Sequence, residues 1–218
     1  MPSPFGNHAD SPIRCSLQVH IADILAAYNI KKLPSGEEAS QASNLTEAYG
    51  ISNIIAHQAA TDFAKTASVD IVRVLPGLSL GSNELNDSAK DMHFGSNGSL
   101  ISMALGEIVD RPKLTGQVLL ENVAKTHILA LDPKIALNLT NFVIAGSGGK
   151  GISWDEVAAL IERLYPDQVK AGVLKPAKGQ ESLLTNFDIR SSEKALGSKF
   201  AGIEVMVKSV IDRYLRLL

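Results

Sequence analysis

Cysteine is almost absent. Cys15 is the only one in 218 residues, which excludes an intramolecular disulfide framework and any CxxC metal site. A reducing compartment is the simpler expectation. Neither sign of charge is in surplus: 21 Lys+Arg against 23 Asp+Glu leave a net charge of −2. With no basic excess, nothing marks the chain for nucleic acid or for an anionic membrane surface. No apolar run approaches the ~20 residues of a membrane helix, and residues 1–10 contain no apolar stretch of the signal-peptide kind. Without an export signal, Asn44-Leu-Thr and Asn138-Leu-Thr are chance matches to the glycosylation pattern. The expectation is a soluble, cytoplasmic protein that engages neither nucleic acid nor membrane. Repeats and low-complexity tracts are missing too. The 45% apolar and 20% charged residues that are present match an ordinary globular composition. The length suits one domain, or one and a half, with a sizeable core.

Residues 2–12 read as a loose start, 15–27 as a strand running into a short helix, and 31–43, with Pro34-Ser-Gly36, as a surface loop. Asn44-Leu-Thr-Glu47 has the form of a capping box. Ala48, Ile51, Ile55, Ala59 and Phe63 then recur at spacings of three and four, the pattern of one buried helix face over about residues 46–66. Residues 69–75 are β-branched and almost continuously apolar, which suits a parallel strand covered on both faces; Pro76-Gly77 stops it. Residues 83–97 read as loop, 100–109 as a short helix and 117–120 as a brief strand, with Asn122 as the cap of a helix over 123–131. Residues 141–145 form another buried-type strand. Ser153 and Glu156 make a second capping box, opening a helix that carries Trp154, Val157, Leu160, Ile161 and Leu164 and stops at Pro166. In the last helix, about 202–218, Ile203, Met206, Val207, Val210, Ile211, Tyr214, Leu215 and Leu218 share a face. Strands alternating with helices predict an α/β domain with a largely parallel sheet.

Few residues propose chemistry by spacing alone. Tyr49 lies in the first turns of the 46–66 helix, where a phenol can serve as a general acid. A tyrosine with an ordinary pKa of ~10 needs a nearby cation for that work, and the i+4 position that would carry it is Asn53. The competing reading is a packing tyrosine. Gly146-Ser-Gly-Gly-Lys-Gly151 departs from the GxxxxGK[ST] phosphate loop, since Ile152 follows the last glycine. An anion could still dock at the helix start that follows it, but a flexible connection is the stronger expectation. His8, His20, His57, His93 and His127 are scattered, with no convincing ligand spacing, so no metal site is expected. Ser16 has no Gly-x-Ser-x-Gly elbow around it.

The motifs taken together resemble the second half of an extended short-chain dehydrogenase/reductase, in the ketone-reductase and dihydroflavonol-reductase-like branch. Tyr49-Gly-Ile-Ser-Asn53, continuing to Ala59-Ala-Thr-Asp-Phe63, resembles the family's YxxSK helix. Val72-Arg-Val-Leu-Pro-Gly77-Leu-Ser-Leu-Gly81 resembles the strand and Pro-Gly turn that follow. Ser96-Asn97-Gly98-Ser99 resembles the substrate-side segment. Glu121-Asn-Val-Ala-Lys-Thr-His-Ile-Leu-Ala-Leu131 resembles the "RDVAKAHVLAL" helix, and Ser191-Ser-Glu-Lys-Ala-Leu-Gly197 the late "SKAKKELG" turn. The resemblance covers about four fifths of the chain. It implies an incomplete Rossmann-like parallel sheet with a C-terminal substrate-binding subdomain over residues 46–218, preceded by an irregular or partly structured segment over 1–45. It also implies NADP or NAD as cofactor, with Pro76 and Gly77 beside the nicotinamide and Ser96 and Asn97 on the substrate side. Tyr49 would be the catalytic acid, and Asn53 stands where the family has lysine.

The departures from the family pattern have physical consequences. No GxxGxxG turn, which would seat the cofactor pyrophosphate on a helix N-terminus, precedes Tyr49. The usual Asp of "RDVAK" is Asn122, and the family serine has only Ser16 as a candidate. Three functions remain open. The first is a truncated, pseudoenzyme-like member with impaired or no redox activity alone. The second is a working NAD(P)-dependent oxidoreductase on a small carbonyl metabolite, in secondary metabolism. The third is a repurposed cofactor-free isomerase, cyclase or metabolite-binding protein, with Tyr49 and His93 as proton carriers. A sheet without its first strands leaves an edge, so the chain must cover it with residues 1–45 or self-associate as a homo-oligomer.

Overall fold

The computed structural model describes residues 45–218, together with residues 37 and 40–42. The Asn44 cap, Cys15, Ser16, His8, His20 and the elements expected within residues 1–36 lie outside the described residues. The chain runs from helix α1 (Leu45–Phe63) into strands β1 (Arg73–Pro76) and β2 (Leu78–Leu80). A 3-10 turn at Ala89–His93 leads into α2 (Gly95–Ala104), β3 (Lys113–Leu114), β4 (Gln117–Leu119) and α3 (Leu120–Leu129). Next come β5 (Asn141–Ile144), α4 (Trp154–Leu164), α5 (Pro166–Lys170), β6 (Ser182–Leu183), α6 (Arg190–Leu196) and α7 (Ile203–Arg216).

All strand pairing among these residues is parallel, as α/β alternation predicts. β1 pairs with β5 in the register Val74 to Phe142, β2 with β4, and β3 with β6. β1 and β2 form one path with a branch at Gly77. The Gly77 amide donates to the Ile144 carbonyl at 3.0 Å, still on the β5 side, whereas the Leu78 amide donates to the Gly116 carbonyl at 3.2 Å, already on the β4 side. The Gly146 amide closes the junction onto the Gln117 carbonyl at 2.7 Å. A Cβ at position 77 would overlap the Gly116 carbonyl oxygen, so only glycine lets the two backbones come this close.

Two apolar clusters flank the junction. One holds Trp154, Leu100, Ile101, Leu80 and Met206 and joins α2, α4 and α7. The other holds Phe142, Ile144, Val118, Ile189 and Phe200 under α6. Fully burying one such side chain contributes roughly 1.5–3 kcal/mol.

The Ser153 box is present: the Glu156 amide donates to Ser153 Oγ at 3.2 Å and the Ser153 amide to Glu156 Oε2 at 2.9 Å. The helix it opens ends before Pro166, which sits at the first turn of α5. Most of the predicted face of the last helix is also present, with Met206, Val207, Val210, Ile211 and Tyr214 buried, whereas Leu218, past the helix end, is exposed.

Several local expectations are corrected. α1 buries Ile51 and Ile54, while Ala59 and Phe63 are exposed. The cause is Arg73. Its guanidinium donates to Thr61 Oγ1 at 2.6 Å and to the His57 carbonyl at 3.1 Å, which turns the side bearing residues 54, 57, 61 and 64 toward β1. β1 starts at Arg73 rather than residue 69 and is half-buried rather than covered on both faces, and β5 is its one strand partner among the described residues. Residues 83–97 are not all loop. α2 begins at Gly95 and ends at Ala104, and Gly106, at φ +99°, follows the stop. Asn122 does not cap α3, which starts at Leu120; its Oδ1 accepts from the Ala201 amide at 2.9 Å, tying α3 to the segment before α7.

Candidate active site

Tyr49 sits in the second turn of α1 with 69% of its surface exposed. Its backbone carbonyl collects two side-chain donors, Ser52 Oγ and Asn53 Nδ2, each at 2.9 Å. Asn53 is thereby held back on its own helix, and what it brings one turn beyond the phenol is a neutral amide. Pro76 is exposed at the end of β1, and the amides of Gly77 and Leu78 are both spent on sheet carbonyls.

Ser96 and Asn97 lie in the first turn of α2, which packs on β2. Asn97 clamps Gly81 from both sides: Oδ1 accepts its amide at 3.1 Å and Nδ2 donates to its carbonyl at 2.7 Å. That clamp fixes α2 against the end of β2, and Ser96 precedes it, half-buried. Among the described residues, no hydrogen bond joins Tyr49 or Asn53 to Pro76, Gly77, Ser96 or Asn97.

The glycine-rich turn after β5 is a packed joint, not a flexible connection. A Cβ at Gly146 would overlap Met206 and the Ala201 carbonyl, one at Gly149 the Phe187 carbonyl, and one at Gly151 the Thr185 backbone. Gly148 and Gly149 take positive φ values of 68° and 82°. Three of the four glycines are spent on close packing and Gly148 alone faces open space, so this loop offers no run of open glycines to cradle a phosphate. His93 stands edge-on to Tyr214 with ring centroids 6.3 Å apart, and His127 Nδ1 lies 2.8 Å from the Val123 carbonyl. Among the described residues, no group of three or more His, Cys, Asp or Glu could hold a metal ion, and no helix is long and apolar enough to cross a membrane.

Sequence reasoning missed Arg73 as the link between α1 and β1. Burial pushes its guanidinium below the ordinary value, and its Nε is buried without a hydrogen-bond partner. The signal was present as a charged residue inside an apolar strand, opposite a helix carrying inward polar positions.

Comparison with known proteins gives the site its context. No family model matches the chain. Ketoreductase CTB6 of Cercospora beticola is 33% identical over 154 residues, which cover 68% of this chain and 42% of that protein. The NAD-dependent epimerase/dehydratase ALT6 of Alternaria alternata is 27% identical over 191 residues, covering 78% of this chain and 51% of that protein. Gre2 from Candida albicans superimposes with a TM-score of 0.67 at 19% identity, covering 84% of this chain and 56% of that one. Over the matched portion the chain fits the extended short-chain dehydrogenase/reductase family. It spans about half the length of the curated relatives it matches. A related Gre2 structure from the same yeast is a complex with NADPH, and the fold shared with this reductase family member is the Rossmann-like α/β arrangement.

That cofactor can be tested against the side chains of this chain. A dinucleotide needs a pyrophosphate seat made of free amides at a helix start and groups that hold the nicotinamide ribose. The described residues supply an exposed Tyr49 phenol. They offer no lysine at position 53, no free amide at Gly77 or Leu78, and no open glycine cradle at 146–151. By themselves they do not fit a nicotinamide dinucleotide.

Proposed function

We propose that this chain is the substrate-side portion of a carbonyl-reductase-like protein, binds a small-molecule metabolite, and has impaired or no redox activity by itself. The observation that carries the reading is at position 53, where a neutral amide spends its donor on the Tyr49 carbonyl. Hydride transfer requires the protein to bind and aim the cofactor, and an amide brings no positive charge to stabilise a phenolate. The pseudoenzyme character, the cytoplasmic setting and a role in secondary metabolism belong to the same proposal. The test is calorimetric titration of NADPH and of NADH into the purified chain. No heat at micromolar cofactor is expected; a micromolar Kd for either one overturns the reading.

A second reading has its own support. The 33% identity to a ketoreductase and the retained Tyr49 and Ser52 favour a working NAD(P)-dependent oxidoreductase on a small carbonyl, with the rest of the Rossmann unit supplied by a longer product or a partner chain. An upstream reading frame encoding GxxGxxG would support it. In that longer product, Tyr49→Phe should lower kcat by about 100-fold or more if the phenol is the general acid. An unchanged kcat would exclude that role.

A further inference from the structure

A cavity of about 280 Å³ opens at the C-terminal end of α6, remote in sequence from Tyr49, and is lined by Arg190, Glu193, Lys194, Gly197, Ser198 and Lys199. A fourth cation reaches its rim from another element: Lys125 of α3 donates to Ser198 Oγ at 3.1 Å.

The acids in this region are already engaged. Asp188 takes a two-pronged contact from Arg190, at 2.8 and 2.6 Å. Glu193, only 8% exposed, accepts from Lys199 and, at 3.1 Å, from the Phe200 amide. Lys125 and Lys194 have no carboxylate partner among the described residues. Four cations against two acids leave a local excess of +2 in a chain whose net charge is −2.

Two of the last four carbonyls of α6 are engaged by the turn that follows it. The Gly197 amide donates to the Lys194 carbonyl and the Ser198 amide to the Glu193 carbonyl, at 3.4 and 3.2 Å, and Gly197 closes the turn at φ +59°. Ser198 Oγ accepts from Lys125, so its own proton is available to a guest.

We infer that this cavity is a binding site for a small phosphate-bearing anion, held by Lys125 and Lys194 with Ser198 and Arg190 at its edge. The site stands apart from the reading of Tyr49 and does not depend on it. Charge supplies the attraction, which salt weakens at this exposed position. The open volume leaves room for a phosphate monoester as well as for free phosphate.

The test is calorimetric titration with inorganic phosphate and with glycerol 2-phosphate, using the 218-residue chain at low ionic strength. A millimolar or tighter Kd is expected. The Lys125→Gln, Lys194→Gln double variant should weaken it about tenfold or more, and Lys150→Gln, an exposed lysine on a different loop, should leave it unchanged. Tighter binding of the ester would identify an esterified metabolite as the guest; equal binding would identify the phosphate group alone. Circular dichroism and melting of the double variant separate loss of the site from loss of fold. The inference is overturned if neither anion binds at up to about 20 mM in low salt, or if the folded double variant binds as the parent does. Because NADPH carries a phosphate monoester, the double variant is also titrated with NADPH: heat that the variant abolishes belongs to this cavity, and heat that it retains belongs to the site of Tyr49, so the two tests fail separately.

Discussion

A methyl group at position 77 would collide with the Gly116 carbonyl oxygen, and that oxygen accepts the Leu78 amide that starts the β2–β4 pairing. Relief requires moving backbone on two strands at once, since neither atom belongs to a flexible side chain. Gly77→Ala should therefore cost about 2–4 kcal/mol, read as a lower urea midpoint with an unchanged slope. The resemblance gives Gly77 a place beside a cofactor; the structure gives it a steric duty that holds whether or not a cofactor binds. At Thr61 the cost is polar. Thr61→Val deletes the 2.6 Å acceptor of a half-buried guanidinium whose Nε already has no partner. Nη1 keeps the His57 carbonyl and ring as partners, so losing the hydroxyl bond should cost about 1 kcal/mol. A urea midpoint equal to the parent's would mean that water replaces the hydroxyl.

The start of α4 shows an element written locally enough to be read from sequence. Ser153, Glu156 and the apolar face after them form a self-contained signal, and the bonds that satisfy the box lie within four residues. Ser153→Ala should lower stability by about 1 kcal/mol. Its pH dependence has a definite sign. The Ser153 hydroxyl and amide hold the Glu156 carboxyl below its ordinary value of 4.5, so the box contributes in full above that pH and is lost as pH falls through the depressed folded value. The stability gap between parent and Ser153→Ala should narrow below about pH 4 and stay level above about pH 5; a gap constant down to pH 3 would mean the carboxylate takes no part.

α1 and α2 were hard to read for the opposite reason. The inward side of α1 includes His57 and Thr61, whose partner Arg73 lies on a strand twelve residues beyond Thr61, so apolar periodicity pointed to the wrong face. α2 opens with Gly95-Ser-Asn-Gly98, a helix-poor run, and is held by the Asn97 clamp on Gly81 and by Gly98, where a Cβ would overlap the His93 carbonyl. Such contacts exist only after β2 is placed. The same limit applies to the cavity at α6: Arg190 and Lys194 share a helix face by spacing, but Lys125 joins them only through the fold.

For the whole molecule, the governing feature is the asymmetry of β1. The Arg73 and Gly77 amides point to β5, donating to the Thr140 and Ile144 carbonyls. Alternation along a parallel strand then directs the Val74 amide to the opposite edge, together with position 76. Pro76 has no amide to offer there, in keeping with the preference of proline for edges, yet one proline does not block a whole edge. With no strand partner on that side among the described residues, the edge invites another chain, and we expect concentration-dependent self-association through it. Val74→Pro removes the outward donor while leaving both β5 bonds in place. The residue before it, Arg73, is already extended, as a pre-proline position requires. Light scattering after size exclusion should show the parent growing with concentration and the variant remaining monomeric at the same helix content. A parent that stays monomeric over about a hundredfold concentration range would show instead that the edge is covered within one chain, because an uncovered edge of this kind associates by mass action.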